Sequence, residues 1–176
     1  MKRRIATGID IGTHQTKVVV VEEVHTQHGS SIRVIGTGLA SSAGLRHGYV
    51  VDAEDASTAL KNAKRQAQTM AKVPIKTGFL AIGGISLDEI RATGATAIAR
   101  ADQEVTDLDT EKVLESARAS IEGQLLNRRV LHEIPLTFRI DGIKTLGDPI
   151  GIKGNRLEGD YLFVTCLAQH VDALTT

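Results

Sequence analysis

Three apolar, β-branched runs follow one another at the start of the chain, with only short polar segments between them. They span residues 5–11, 17–23 and 32–40, and each has the valine, isoleucine and threonine content of a buried strand. No helix-length segment separates them, so they predict an antiparallel meander. This order argues against a dinucleotide-binding fold, because parallel strands need long crossover connections.

The composition is that of a soluble globular protein. Of 176 residues, 41% are hydrophobic and 24% are charged, which is enough for one domain or two small ones. The formal net charge is zero and only 3% of residues are aromatic, so the chain lacks both the basic patch and the stacking residues of a nucleic-acid-binding protein. The single cysteine, Cys166, lies in an apolar run and is expected to be buried. No window approaches the roughly 18 apolar residues that a membrane span needs.

Two capped helices interrupt the strands. Asp52 is the predicted N-cap of a helix that runs to about residue 71, with its apolar face formed by Ala56, Leu60, Ala63, Ala67 and Met70. Thr106 and Asp109 form a predicted capping box before a second helix, whose apolar face is Val113, Leu114, Ala117 and Ile121. Further strands are predicted at 78–84, 91–101, 129–134, 136–140 and 160–168, with a glycine-rich loop at 144–158. The fold class is therefore α/β to α+β.

Residues 8–17 combine a strand end with a polar turn that contains glycine. Asp10 at the strand tip is suited to holding a hydrated divalent cation, and Gly12 lets turn N–H groups approach an anion closely. Further donors would be Thr13, His14, Gln15 and Thr16, and Lys17 follows them. The stretch predicts either a phosphate-facing hairpin or an ordinary β-hairpin, since such turn signals are common. The other histidines, which have no ligand-like spacing, are His25, His28, His47, His132 and His170; His132 is expected to be packed in a strand.

Several stretches resemble known families. Residues 10–13 are similar to the Asp-x-Gly-Thr/Ser pattern in the first phosphate loop of the actin, sugar-kinase and heat-shock chaperone ATPases. Residues 44–52 resemble the Gly-x-x-x-Gly-x-Val-x-Asp segment of FtsA, the bacterial cell-division actin family, and residues 79–86 resemble its strand leading into an inserted domain. The most specific stretch is 130–142, followed by the Asp-Pro-x-Gly-x-x-Gly-x-Arg-Leu-Glu run at 148–158. The similarity covers nearly the whole chain and corresponds to the N-terminal part of FtsA.

This resemblance implies a two-part fold. One part is an actin- or ribonuclease-H-like subdomain, a mixed sheet with an antiparallel meander and a flanking helix, formed by residues 1–82 and 163–176. The other is an inserted α+β strand-helix-strand-strand domain at 83–162. Because the chain ends at Thr176, before the family's second phosphate loop and adenosine region, it is expected to be an N-terminal fragment.

The resemblance also implies ATP and magnesium as cofactors of the full-length protein. Asp10 would order magnesium through water, Gly12, Thr13, His14 and Gln15 would meet the β- and γ-phosphates, and Thr16 and Lys17 would add a hydroxyl donor and a positive charge. No catalytic residue is assigned. At most weak ATPase activity is expected of the full-length protein, and neither bound nucleotide nor hydrolysis is expected of residues 1–176.

The implied role is that of a divisome scaffold in septum formation. A protein of this family polymerises into actin-like filaments, tethers the FtsZ ring to the inner face of the cytoplasmic membrane through a C-terminal helix, and recruits later division proteins. That helix has no counterpart in residues 1–176, and no nucleic-acid partner is implied.

Two alternatives stay open. The first is PilM, a type IV pilus assembly protein with the same phosphate loop and a similar inserted domain, which normally lacks the His-Glu-Ile-Pro and Asp-Pro-x-Gly runs seen here. The second is a sugar-kinase or acetate-kinase-like phosphotransferase, which needs a catalytic carboxylate and an adenosine site that 176 residues do not contain.

Overall fold

The computed structural model describes residues 3–27 and 29–175. Met1, Lys2, His28 and Thr176 lie outside the described residues. The expectation for His28 and the last position of the predicted segment 163–176 therefore concern residues that the structure does not describe. The chain divides into two compact units, residues 1–85 with 172–176, and residues 86–171.

The first unit contains a four-stranded mixed sheet. Its strands are β1 (Ile5–Ile11), β2 (Gln15–Thr26), β3 (Gly29–Ser41) and β6 (Phe79–Ala81), in the order β3-β2-β1-β6, and a small hairpin is formed by β4 (Leu45–Arg46) and β5 (Tyr49–Val50). The strands β1, β2 and β3 form the predicted antiparallel meander, and β6 is parallel to β1. The prediction of a mixed sheet with a flanking helix is confirmed.

The flanking helix is α1 (Ala53–Ala71), which packs on β2 and β3. Asp52 caps it as predicted, because its Oδ1 accepts hydrogen bonds from the backbone N–H groups of Glu54 and Asp55, both at 3.0 Å. The buried face consists of Ala56, Ala59, Ala63, Ala67 and Ala71. Met70 was expected on this face, but it is 62% exposed, since the alanine stripe that contacts the sheet passes through Ala71 instead.

Glycines in β3 allow α1 to approach the sheet closely. A Cβ built on Gly38 would lie 1.8 Å from the carbonyl oxygen of Ala63, and one on Gly36 would lie 2.5 Å from that of Ala67. The helix backbone therefore rests against the strand backbone, where alanine and glycine leave enough room.

The second unit has the predicted strand-helix-strand-strand order. Its elements are β7 (Asp88–Ala97), α2 (Asp107–Ser120), a 3-10 helix (Glu122–Leu125), β8 (Arg128–Ile140), β9 (Ile143–Lys144) and β10 (Arg156–Leu167). The antiparallel sheet has the order β7-β10-β8-β9. Its buried core includes Val113 of α2 and Leu157 and Phe163 of β10.

The predicted capping box of α2 is present. The backbone N–H of Thr106 donates to Asp109 Oδ2 at 3.0 Å. Gly94 in β7 lies under this helix, where an added Cβ would be 1.9 Å from the carbonyl oxygen of Val113. Both units therefore seat their helix over a strand glycine.

Several predicted boundaries differ from the structure. Residues 129–134 and 136–140 form one continuous strand, because a register shift opposite Asp160 and Tyr161 lets β8 continue through Pro135. The final strand begins at Arg156, within the predicted loop, and α3 (Ala168–Thr175) follows it. The inserted domain was predicted at residues 83–162, and the second compact unit comprises residues 86–171, in which β10 pairs with both β7 and β8 as far as Thr165.

Candidate functional site

The turn between β1 and β2 is closed by backbone hydrogen bonds. The N–H of Gly12 donates to the carbonyl oxygen of Gln15 at 3.2 Å. The N–H of Ser42 donates to the carbonyl oxygen of His14 at 3.0 Å. A Cβ on Gly12 would lie 3.0 Å from the Gln15 oxygen, which is closer than most Cβ contacts, so a side chain at this position would require the turn to shift slightly. With Gly12 engaged, the N–H groups of Thr13 and His14 remain as candidate anion donors.

Asp10 and Lys17 face each other across the hairpin. They are register partners on β1 and β2, and Lys17 Nζ lies 3.3 Å from Asp10 Oδ2. Both side chains are about half exposed, at 50% and 52%. The pair places one carboxylate and one ammonium group at the base of the turn, where solvent and small ions reach both.

Thr13 connects the turn to a second segment. Its Oγ1 accepts a hydrogen bond from the backbone N–H of Gly48 at 2.9 Å. Gly48 has a φ of 85° and the preceding His47 a φ of 53°, so two consecutive residues adopt left-handed conformations there.

A third segment, at the end of β6, reaches the same point. A Cβ on Gly48 would lie 3.0 Å from the Cα of Gly84, which itself has a φ of 110°. A Cβ on the neighbouring Gly83 would meet no atom within 4 Å and would occupy open space. The turn after β1, the loop around Gly48 and the Gly83–Gly84 pair thus surround one small region of backbone.

The seven predicted residues lie in the turn between β1 and β2 or at the strand ends beside it. Thr13, His14 and Lys17 are exposed, and Asp10, Gly12 and Gln15 are partly buried. Thr16 is fully buried on the other side of β2, and its Oγ1 lies 2.8 Å from Ser42 Oγ. Its hydroxyl group would have to leave Ser42 to reach a phosphate. The assignment of these seven residues to nucleotide binding stays a prediction.

Sequence reasoning missed the parts played by Gly48 and Gly84. Gly48 was assigned only to the segment at 44–52 and Gly84 only to the end of the strand at 78–84, and neither is close in sequence to the phosphate-loop pattern. The signal that could have identified them is the pairing of glycines at two strand ends, a pattern found where backbones approach a ligand or one another.

The residues present suit a phosphate with a hydrated cation. The open space beside Gly83 is a cradle that any side chain would fill, and backbone N–H groups in such turns bind anions. Among residues 3–27 and 29–175, no three His, Cys, Asp or Glu side chains cluster as a metal site. Asp10 is a single carboxylate, which suits magnesium held through water, because magnesium commonly keeps several of its waters.

Each unit also has a charged cluster that does not include any of these residues. Hydrogen bonds from Arg3 and Arg33 lower the pKa of Glu22 to about 2. In the second unit, Arg139 contacts Asp160 through two nitrogens, at 2.6 and 3.0 Å, and hydrogen bonds from this guanidinium lower the pKa values of both Asp160 and Glu158. Both clusters tie strands together and need no ligand.

Cys166 and His132 differ in burial. Cys166 is buried as predicted, with its Sγ 3.1 Å from Ser86 Oγ. His132 was expected to be packed, but it is exposed, because the register shifts of β8 turn it to the open face of the sheet.

Comparison with known proteins identifies related chains. Residues 85–165 match the SHS2 domain inserted in FtsA. Proteins named cell division protein FtsA are similar over nearly the whole chain: that of Borreliella burgdorferi is 30% identical over 94% of this chain, that of Streptococcus pneumoniae 36% over 90%, and that of Pseudomonas aeruginosa 34% over 93%. The matched regions make up 39%, 34% and 37% of those relatives. In the part of the chain that the structure describes, none of the helices combines the length and apolar character needed to cross a membrane.

Proposed function

We propose that this chain, whose residues 85–165 match the SHS2 domain inserted in FtsA and which is similar to proteins named cell division protein FtsA, forms the first half of an actin-like ATP site in a division scaffold. Such a scaffold polymerises, binds FtsZ and holds it at the inner face of the membrane. The chain spans only 34–39% of the relatives named above, so these activities are proposed for the protein as encoded, with any sequence that follows Thr176.

The observation that carries the nucleotide proposal is the convergence of three backbone segments beside Asp10. Thr13, Gly48 and Gly84 are joined by one hydrogen bond and one close glycine contact, and the space at Gly83 is open. Three glycine-containing segments at strand ends can present several N–H groups to a phosphate without side-chain obstruction.

The proposed roles follow from the positions of the side chains. Asp10 accepts hydrogen bonds from the waters of magnesium, and the ammonium group of Lys17 moves from Asp10 to the phosphate when nucleotide binds. Thr13 holds Gly48 in place through its hydroxyl oxygen, so it positions the backbone. ATP would supply the negative phosphate charge that Lys17 and the magnesium ion neutralise. No role in hydrolysis is assigned to Asp10, Thr13 or Lys17.

The test measures nucleotide affinity by calorimetry. In the protein as encoded, Asp10→Asn should weaken MgATP binding by about ten-fold or more and leave ATP binding without magnesium less affected, because only the cation contact loses its charge. Glu89→Gln, an exposed change on β7, is the matched control and should leave both affinities unchanged. Equal MgATP affinities of the Asp10→Asn protein and the parent would refute the proposed site.

Residues 1–176 alone should show little or no MgATP affinity, because the matched relatives have more than half of their length outside the matched region. Micromolar binding by this chain would mean that half of the cleft is sufficient, and the proposed division of the site between two halves would be wrong.

Assembly should depend on the second unit. Arg91 lies on β7 with its side chain 70% exposed, and its Nη2 is 3.9 Å from a carboxylate oxygen of Glu89. Arg91→Glu should disturb filament formation by the protein as encoded, measured by sedimentation, while MgATP affinity is retained. Loss of both together would instead indicate misfolding and contradict a separate assembly role.

A further inference from the structure

A groove in the second unit lies between α2, β8 and the loop that follows β9. It has a volume of about 680 Å³ and its walls include Leu114, Phe138 and Tyr161. Its outer rim carries exposed aliphatic side chains: Leu136 is 46% exposed, Ile150 44%, and Leu146 fully exposed. Aliphatic groups gathered at a concave surface are typical of an interaction site.

The groove also contains a buried carboxylate oxygen with an unmet hydrogen-bonding capacity. Glu133 Oε1 is shielded from solvent but has no hydrogen-bond partner among the described residues. Arg118 Nη1 lies 3.3 Å away, in an orientation that forms an ion pair without a hydrogen bond, and the Arg118 side chain is 54% exposed. A buried acceptor left without a donor is costly, so a donor supplied from the groove would be favourable.

The charges of the lining add a preference for a cation. Three carboxylates line the groove, those of Glu111, Glu133 and Asp148, against one ammonium group, that of Lys144. A guanidinium group matches this lining because it donates several hydrogen bonds in a fixed plane and is weakly hydrated.

The open edge of β8 favours an extended occupant. Residues 133 and 135–138 of this strand line the groove. In the described chain, β8 pairs with β10 on one side, while on the other side β9 pairs with it only at Arg139 and Ile140. An extended segment laid along such an edge gains backbone hydrogen bonds in addition to side-chain contacts.

We propose that this groove binds an extended peptide segment of a partner protein, in which an arginine flanked by aliphatic residues donates to Glu133. The aliphatic residues cover Leu136, Leu146 and Ile150, and the guanidinium replaces the poorly oriented contact from Arg118. The proposal concerns the second unit alone and does not depend on nucleotide binding.

The test uses a blocked pentapeptide, acetyl-Ala-Leu-Arg-Leu-Ala-amide, and its citrulline counterpart, which keeps the shape of arginine but carries no charge. Binding to the full chain is measured by calorimetry, and amide chemical shifts locate the site. The arginine peptide should bind about ten-fold or more tightly than the citrulline peptide. Glu133→Gln should weaken binding of the arginine peptide by a similar factor and barely change the affinity for the citrulline peptide. A double-mutant cycle gives this result when the two groups interact directly.

Arg118→Ala separates this proposal from a purely structural role of Glu133. If Arg118 competes with the peptide, its removal leaves affinity unchanged or raised; a fall in affinity would overturn the proposal. Thermal unfolding and circular dichroism of each variant establish that it is folded, and Glu89→Gln serves as the control for charge removal elsewhere in the unit.

Three further results would overturn the proposal. Equal affinity for both peptides would show that charge is not recognised, and shift changes confined to residues outside the groove would place the peptide elsewhere. Concentration-dependent dimerisation of the chain that Leu146→Ser abolishes would make a second copy the occupant.

Discussion

Replacing Gly38 by alanine should destabilise the first unit strongly, because the helix backbone occupies the space that the methyl group needs. The added Cβ would lie 1.8 Å from the Ala63 carbonyl oxygen and 2.7 Å from its carbon. Ordinary contact begins at about 3.4 Å, so α1 would have to retreat by about 1.6 Å. The obstacle is backbone and not a flexible side chain, so the helix cannot yield by changing a rotamer.

The retreat of α1 separates it from the sheet over its whole buried face. Val18, Val20, Ala63 and Ala67 are each 0% exposed in the same core, so no slack exists to absorb the shift. Overpacking of this kind costs about 3 kcal/mol at the upper end of its usual range. With a urea dependence of about 2 kcal/mol per molar, the unfolding midpoint would fall by about 1.5 M.

The assay is urea unfolding combined with hydrogen exchange resolved by residue. Exchange should accelerate in β2, β3 and α1 and remain unchanged in β10 of the second unit. Gly8→Ala is the matched control, since a Cβ on Gly8 of β1, in the same sheet, meets no atom within 4 Å and its φ is not positive; it should leave stability unchanged or raise it by about 0.5 kcal/mol. If both variants unfolded at the same urea concentration, the close-approach argument would be refuted.

Two further predictions concern the charged clusters. Glu22 has a folded pKa of about 2, below its ordinary value of 4.5, so its stabilisation is fully present above about pH 5 and is lost as pH falls towards 2. Glu22→Gln should therefore lower the unfolding midpoint at pH 7 and flatten its dependence on pH between 5 and 2; an unchanged slope would contradict the assignment. Arg139→Ala should cost about 1–2 kcal/mol in urea unfolding, because it leaves the partly buried carboxylates of Asp160 and Glu158 without their shared donor. Arg100→Ala, which removes an exposed pair with Asp102, is the control and should lower the unfolding midpoint much less than Arg139→Ala; a larger decrease for the control would contradict the argument.

The elements that sequence predicted well depend on neighbours in the chain. The caps at Asp52 and Thr106 are local hydrogen bonds, and the meander requires only apolar alternation and short turns. The turn at Gly12 was also identified from a local pattern. These features were predictable because the interactions that form them lie within a few residues of one another.

The missed features depend on partners distant in sequence. Residues 156–158 were assigned to the end of the glycine-rich loop at 144–158, yet they belong to β10, where Glu158 is held by Arg139 from another strand. The hydrogen bond between Thr13 and Gly48 likewise joins residues 35 positions apart. No local propensity reports such a contact, so the candidate site appeared in the sequence as one turn, without its other two segments.

The strand glycines show how a local rule can indicate the wrong structure. A glycine within an apolar run is usually interpreted as a turn or bulge. Gly38 and Gly94 instead continue their strands and face a helix, because each lies under the backbone of a helix that presents alanine or valine at the contact. A glycine in a strand is therefore better assigned by searching for a helix with small residues four positions apart, such as Ala59, Ala63 and Ala67. A strand glycine together with such a helix predicts that the helix packs on that strand, whereas assigning the glycine to a turn excludes this contact. The same combination predicts which unit each helix stabilises.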